Sequence, residues 1–395
     1  MKLVVVGVGQ CGGRIADEFS RLQSRARFHR RIDILADTFA VNTDIADLSC
    51  LSSIKSDYRH RILIGNRKTG SHGVGKINQL GAEIAKQDSD KVIDAVRSAE
   101  RFYEADAFLL IASAAGGTGS GAMPIMAQII KERFRDKPVY TLVVLPFEHE
   151  DQTDVTMFCN TATCLKATYS VADAVFLVDN QRYIEKDSSL IHNMTAINEL
   201  IAEPFYDLLC AGEEKKAKHI GAKLLDAGDI IATLAGWTVL GYGVSQLPMV
   251  RSPFGRRNFR KKSTETHKGL QAMDQAISNL SLKCDLKDSA SALYLLSAPT
   301  EEMTMDLVKE LQDYLGEVAP EAVIRNGDYP RREATLKITL IVSQLSSVQE
   351  VMEYYDKMPE LIQKKECRQK SSEAGLGELK KASMLVPSLF GGDGS

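Results

Sequence analysis

The chain has no apolar run near the ~18–20 residues that cross a bilayer, so no membrane span is read from it. Its 7 cysteines, an odd number, include no CxxC pair, which argues against a disulfide framework or a zinc site and for reduced thiols in a cytosolic setting. The 7 histidines are scattered, none pairing with acids at ligand spacing, so no structural metal is assigned. Neither sign of charge dominates. A formal net charge of -3 over 395 residues gives no global pull toward nucleic acid or membrane. The opening apolar run is cut short by glycines, and no signal peptide is expected. There is no internal repeat, and the pattern GxxxxGK[ST] is missing, which excludes an ordinary P-loop NTPase. At 44% hydrophobic and 26% charged, the composition is that of a soluble globular protein.

What is present begins with Leu3-Val4-Val5-Val6, a β-branched run that reads as a strand buried on both faces. Further strand candidates are Asp33–Ala36, Phe39–Val41, Arg61–Ile64, Ala107–Ala112, Val139–Leu145 and Ala174–Val178. Helical patterns lie between several of them, at Asn78 to Ala99, Met123 to Arg133 and Met157 to Tyr169. Strands alternating with helices predict a parallel sheet covered on both faces, a Rossmann-like α/β domain. A long helical pattern follows from Ser188 to Lys218, with Pro204 expected to bend it or end it locally. Next come a helix near Thr264 to Leu280, a strand at Ala292–Leu296, a helix at Thr304–Leu315 and a strand at Thr335–Val342, a smaller α+β domain. Trp237 is read as core. The expected divisions are 1–186, 187–218 for the central helix, 219–360, and a flexible tail over 361–395 with an apolar patch at Met384–Val386 and Leu389-Phe390. A basic cluster, Arg251, Arg256, Arg257, Arg260, Lys261 and Lys262, reads as a solvated loop, with a lateral contact or an anionic surface as the functional alternative.

Two glycine loops carry the chemistry. Gly7-Val8-Gly9-Gln10-Cys11-Gly12 fits GxGxxG between a strand and a helix. Glycines there let backbone approach a phosphate, and the helix N-terminus offers free N–H groups. Alone, this loop fits a dinucleotide enzyme or a tight turn equally well. The second, Ser113-Ala114-Ala115-Gly116-Gly117-Thr118-Gly119-Ser120-Gly121, is a poor strand and a poor helix, but a good nest of backbone donors for a polyphosphate. Two such loops at the ends of two strands suggest one nucleotide held from both sides at the carboxyl edge of the sheet. A third, Gly70 to Lys76, can be a plain surface loop or can close over a terminal phosphate.

Gly116 to Gly121 resembles the GGGTGSG signature of tubulin and FtsZ, with Ala115 in the place of the first glycine. Gly9-Gln10-Cys11-Gly12 resembles the first nucleotide loop of tubulin, and Val41-Asn42-Thr43-Asp44 resembles a loop of FtsZ. Within that superfamily, Gly70–Lys76, Ile197-Asn198-Glu199 and Leu225–Ile231 are most similar to the archaeal CetZ branch. The resemblance covers roughly the first 245 residues.

The resemblance implies a GTPase domain, a long central helix and a C-terminal activation domain. It implies a cytoplasmic cytoskeletal GTPase that binds GTP or GDP with Mg²⁺ and assembles head to tail with copies of itself, hydrolysing GTP at the subunit interface. An adaptor at the tail is a possible further partner, and no nucleic acid or membrane span is expected. The alternative is a nucleotide-binding scaffold of the same fold without hydrolysis. Residue by residue, Ala115, Gly116, Gly117, Thr118, Gly119, Ser120 and Gly121 would cradle the α- and β-phosphates. Gly9, Gln10, Cys11, Gly12 and Gly13 would hold the other side, with Gln10 near magnesium. Asn42, Asp44, Gly73 and Gly75 would border the γ-phosphate, and Asn198 would read the guanine edge. Asp226 and Asp229 would act on the nucleotide of a neighbouring subunit. Three departures stand out. Met194 takes the place of a stacking aromatic. Glu150 keeps an acidic ribose-side position, but Thr153 or Asp154 follows where a basic residue is usual. Leu224 takes the place of an Asn before the two acids.

Overall fold

The structure, a computed structural model, describes residues 1–184, 190–247 and 259–361. The tail beyond residue 361, with its apolar patch, lies outside the described residues. So do Arg251, Arg256 and Arg257, and the side chains of Arg260, Lys261 and Lys262.

The first half of the chain is β1 (Leu3–Val8), α1 (Gly9–Arg30), β2 (Leu35–Asn42), α2 (Ile45–Ser49), β3 (Arg61–Leu63), α3 (Asn66–Thr69), α4 (Asn78–Gln87), α5 (Ser89–Arg97), β4 (Ala107–Ser113), α6 (Gly117–Arg133), β5 (Val139–Leu145), α7 (Glu148–Thr153), α8 (Val155–Val171) and β6 (Ala174–Asp179). The central helix α9 (Leu190–Ala211) leads to α10 (Ala227–Thr233), β7 (Gly236–Gln246), α11 (Phe259–Ser278), β8 (Ser289–Ala298), α12 (Met305–Val318), β9 (Val323–Pro330) and β10 (Thr335–Leu345). A closing helix spans 349–361.

Among the described residues the strands form one sheet of ten, in the order β3-β2-β1-β4-β5-β6-β7-β10-β8-β9. From β3 to β7 every pairing is parallel. Then β7–β10 and β10–β8 are antiparallel, and β8–β9 is parallel again. The near-continuous apolar sequences of β1 and β5, the latter interrupted at Thr141, are explained by burial on both faces, as the run LVVVGV predicts. Alternation sorts the two faces. Val4, Val6 and Val8 join the core under α4, α6 and α8, whereas Leu3 and Val5 join the core under α1 and α9. The central helix buries Ile201, Phe205 and Leu209 against strands from both halves of the chain, including Phe176 of β6, Leu295 of β8 and Ile341 of β10. Phe205 packs at 5.2 Å from Phe19 and 5.5 Å from Phe176, so losing that ring would cost about 3–5 kcal/mol.

Several expectations need correction. Asp33–Ala36 and Phe39–Val41 are not two strands. Leu35–Asn42 is one continuous strand, because Thr38 is buried and keeps the ladder with β1. The pattern from Asn78 to Ala99 is two helices divided at Asp88, whose carboxylate accepts from the Gly65 backbone instead of facing water along a helix. The long helix is shorter than 188–218. It ends at Ala211, where Gly212 follows with room for its α-carbon only beside the Leu225 carbonyl. Pro204 does not end it, and the helix runs through that position. The strands β7 and β9 were not anticipated, and β7 is the one that joins the two halves of the sheet. Trp237, on β7, is buried and stacks on Tyr169 at 4.5 Å.

Candidate nucleotide site and paired acids

At the carboxyl edge of the parallel strands, the first two glycine loops meet backbone to backbone. Gly9 has φ +74°, a conformation glycine adopts without strain, and a Cβ there would stand 3.0 Å from the Gly119 nitrogen. A Cβ on Gly12 would collide with the Ile111 carbonyl of β4, so α1 can lie directly on that strand only without a side chain. Gly13, Cys11 and Gln10 complete the first turn of α1. Burial pushes the Cys11 thiol up to about 12, with Arg14 drawing it down and Glu150 adding to the rise. The Glu150 carboxylate itself accepts from the Phe147 backbone at 3.1 Å, at the start of α7.

The second loop is not a loop for most of its length. Helix α6 starts at Gly117 rather than near Met123, so Gly117, Thr118, Gly119, Ser120 and Gly121 are its first turns, with Gly116 at the N-cap and Ala115 buried before it. The low helix propensity of glycine is overridden by packing. A Cβ on Gly121 would strike the Asn78 carbonyl of α4, and one on Gly117 would come within 2.6 Å of Val74 and 2.8 Å of the Ile77 nitrogen. The two glycines therefore serve different ends. Gly117 faces the third loop, while a Cβ on Gly116 would meet nothing within 4 Å and would project into open space. The Ser120 hydroxyl turns back to the Gly116 carbonyl.

The third loop is wound through left-handed backbone at Gly70, Ser71, Gly73, Gly75 and Lys76, with φ between 60° and 82°. Two side chains pin it. Asn160, buried on α8, donates to the Lys76 carbonyl at 2.9 Å and to the Ala115 carbonyl at 3.0 Å, tying the third loop to the second. Lys76 donates to Asp154 at 3.0 Å. Burial works against the Asp154 charge, but Lys76 and the Thr156 and Met157 backbone hold its carboxyl below the ordinary value. Asp154 is thus the N-cap of α8.

Between these loops lies the end of β2. Asn42 is buried. Its side-chain Oδ1 accepts from the Thr43 nitrogen at 2.7 Å, and its Nδ2 donates to Asp47 at 3.0 Å. Thr43 and Thr118 share a hydroxyl contact of 2.7 Å. Asp44 caps α2 by accepting from Ala46 at 2.8 Å, and a β-bridge pairs Asp44 with His72. A Cβ on Gly73 would sit 3.9 Å from the Asp44 carboxylate.

Helix α9 runs parallel to α1, because Arg21 pairs with Glu199 at 3.0 Å and Arg25 with Glu203 at 2.8 Å. Its N-terminal half, with half-buried Asn198 and with Met194 packed against the core, therefore lies toward the glycine loops. Its C-terminal end lies at the opposite, amino edge of the sheet. There the Met1 ammonium pairs with Glu213 at 3.1 Å, and a Cβ on Gly212 would be 3.4 Å from the Met1 nitrogen and 3.7 Å from the Asp226 Cα. Asp226 is exposed, and its carboxylate accepts from the Asp229 nitrogen at 2.9 Å, capping α10. Asp229 is half-buried, and Leu224 beside them is 44% exposed. The glycine loops and the two acids are thus separated by the length of β1, about 20 Å for six residues.

Sequence reasoning missed Asp47 and Asn160, and it did not foresee the Lys76–Asp154 pair. Asn160, a lone amide on the apolar face of α8, was the signal available. Among the described residues no group of three or more His, Cys, Asp or Glu could hold a metal ion, and no helix is long and apolar enough to cross a membrane.

Residues 2–186 match the GTPase domain of the tubulin/FtsZ family, and residues 187–360 match the tubulin-like CetZ C-terminal domain. Tubulin-like protein CetZ1 of Haloferax volcanii is 31% identical over 344 residues, 84% of each chain. A structure of CetZ1 from Haloferax volcanii, a GDP-bound monomer, superposes with a TM-score of 0.77 at 27% identity, covering 91% of this chain and 99% of that one. CetZ2 from Haloferax volcanii, solved as a GTPγS-bound protofilament, gives 0.77 at 28% identity and covers 93% and 100%.

Proposed function

The chain belongs to the CetZ group of the tubulin/FtsZ family, and from that premise we propose that it binds GTP at the glycine loops, assembles head to tail with itself and hydrolyses GTP at the junction between subunits. The observation that carries this reading is the separation just described. A cradle of backbone donors lies on one edge of the sheet, and two carboxylates, on the opposite edge, cannot reach it within one chain. A relative solved as a GTPγS-bound protofilament supports self-assembly.

In this reading the phosphates lie against Gly116 and the first turn of α6, where free N–H groups and the positive end of the helix dipole favour anions. Gly9 to Gly13 hold the other side, and Asn42, Asp44, Gly73 and Gly75 border the γ-phosphate. Asn198 pairs with the guanine edge through its amide, Met194 packs on the base, and Glu150 lies toward the ribose. The oxygen donors Gln10 and Asp44 suit a hard cation arriving with the phosphates, and magnesium there neutralises charge on them when bound. Asp226 and Asp229 of the next subunit orient the attacking water. The units 1–186, 187–218 and 219–360 serve as GTPase domain, central helix and activation domain, with 361–395 a tail open to an adaptor. The setting is the cytoplasm.

A second reading, a non-hydrolysing scaffold, is favoured by one observation: capping of α10 already accounts for Asp226 and for an acid in the first turn. Phosphate release across a protein-concentration series separates the two. The hydrolase gives turnover per molecule that rises with concentration, and the scaffold gives none at any concentration. Nucleotide released by heating the purified protein, run on a column, identifies the base.

A further inference from the structure

We propose that Asp47 is a positioning residue for the nucleotide site, the strut that holds Gln10 and Asn42 in their working orientation. It rests on the reading above, in which those two residues face the nucleotide. One carboxylate serves two loops: Gln10 Nε2 donates to Oδ1 at 2.8 Å, and Asn42 Nδ2 donates to Oδ2 at 3.0 Å. Gln10 belongs to the first turn of α1 and Asn42 to the last position of β2, so the bridge crosses from the first loop to the second strand's end.

The consequence follows from the planarity of an amide. With both NH₂ groups held by Asp47, each amide oxygen is turned away from it. The Asn42 oxygen is then fixed on the Thr43 and Asp44 nitrogens, at 2.7 and 3.3 Å, which sets the turn of the chain after β2. Thr43 in turn meets Thr118 at 2.7 Å, inside the glycine-rich start of α6. A single line of hydrogen bonds therefore runs from Gln10 through Asp47, Asn42 and Thr43 to Thr118. The Gln10 oxygen is left directed off the strut, where a phosphate-borne cation would find it.

A bland role for Asp47, an acid in the first turn of a helix, explains little. Helix α2 has only five residues, and Asp44 already caps it through the Ala46 nitrogen. Helix stabilisation also needs no fork reaching two different elements. Only an ionised carboxylate offers acceptors to both amides at once. Asparagine at this position accepts from one and turns a donor on the other.

The test is calorimetry on the full chain with GTPγS and GDP as probes, using Asp47→Ala, Asp47→Asn, Gln10→Ala, Asn42→Ala and the double variant Gln10→Ala/Asp47→Ala, with Tm recorded for each. Asp47→Ala should lose about tenfold in GTPγS affinity, more than in GDP affinity, at a Tm close to wild type. Asp47→Asn should fall between wild type and Asp47→Ala, and it keeps the side-chain volume should the alanine variant not fold. The double variant should be no weaker than the weaker single one, because both remove the same bridge. If Gln10→Ala or Asn42→Ala weakens binding while both Asp47 variants bind as wild type, the strut is wrong and the site reading survives. Additive losses in the double variant also overturn the strut. If neither Gln10→Ala nor Asn42→Ala changes affinity, the site reading itself fails and the strut falls with it.

Discussion

At the carboxyl edge of the parallel strands, three loops are locked together by close backbone approach and by buried amides and hydroxyls. At the amino edge, Asp226 and Asp229 stand on a short helix, one exposed and one half-buried, with an exposed Leu224 beside them. The first region is finished within the chain. Gly9 touches Gly119, Asn160 ties the second loop to the third, and Thr43 meets Thr118. The second makes one local cap and presents the rest outward. Loops fixed by contacts within the chain, with the first N–H groups of α6 left free, can hold an anion without a second chain. Carboxylates and an apolar side chain left at the rim suit a partner. On the proposed function, binding and turnover lie toward opposite ends of the central helix and should respond separately to mutation.

The sharpest break in that comparison is Asp229→Ala. It should bind GTP with wild-type affinity and form longer-lived filaments while hydrolysing ~10²–10⁴-fold more slowly, measured as phosphate release with light scattering alongside. A variant as fast as wild type leaves the capping role as the better account. Next in size is a pair at the other edge. Gly116→Val places its side chain in open space, so it should fold normally and lose about ten- to a hundredfold in GDP affinity. Gly117→Val meets Val74 and the Ile77 nitrogen instead, so its main effect should be lower stability, about 1–3 kcal/mol by thermal denaturation. Had both glycines faced the phosphates, the two variants would behave alike.

Base preference is a smaller effect. Asn198→Ala should narrow the gap between GTP and ATP affinity by ~1–3 kcal/mol in competition assays, and an unchanged gap means that the base is read elsewhere. Smallest is a pH effect at the carboxyl edge. Glu350, on the closing helix, shares a groove with Glu148 of α7 and Asp179 of β6, and Tyr354 packs there on Phe158 at 4.7 Å. Burial pushes the Glu350 carboxyl up to about 7, with Asp179, Glu353 and Glu148 adding to the rise and Arg182 opposing it. The folded chain therefore holds this proton more tightly than the unfolded one. Stability falls as pH rises from the ordinary Glu value of 4.5 to about 7, and is then level. Glu350→Gln should match wild type below pH ~4.5 and exceed it above pH ~7, within about 1 kcal/mol because the groove is partly solvated. A Tm difference independent of pH removes this account of the groove.

Much of the carboxyl edge was legible because close backbone approach leaves glycine in the sequence, and Gly9, Gly12, Gly117, Gly119 and Gly121 are such marks. What the glycines do was less legible. A stretch with poor helix propensity became the first turns of α6 because α4 packs so near that Gly121 has no room for a side chain, a tertiary effect that local propensity does not carry. Asp47 and Asn160 were missed for a related reason. Each is one ordinary polar residue on a helix, and its importance comes from the two elements it joins, which are far apart in sequence. Strand β7 was missed because its glycines at 241 and 243 break the strand pattern. The structure explains them: side chains there would strike the Ala276 and Ala272 carbonyls of α11.

The claim that one working site needs two chains is tested most directly by complementation. Asp229→Ala keeps the nucleotide cradle without the acid, and Gly116→Val keeps the acids with a weakened cradle that stays empty at a GTP concentration held well below its Kd. Each is measured alone and mixed in equal amounts with co-sedimentation to confirm joint assembly. The account predicts that both are inactive alone and that the mixture recovers about one quarter of wild-type turnover, the fraction of head-to-tail junctions joining an intact cradle to an intact acid pair. Co-assembled filaments with no recovered phosphate release would contradict it.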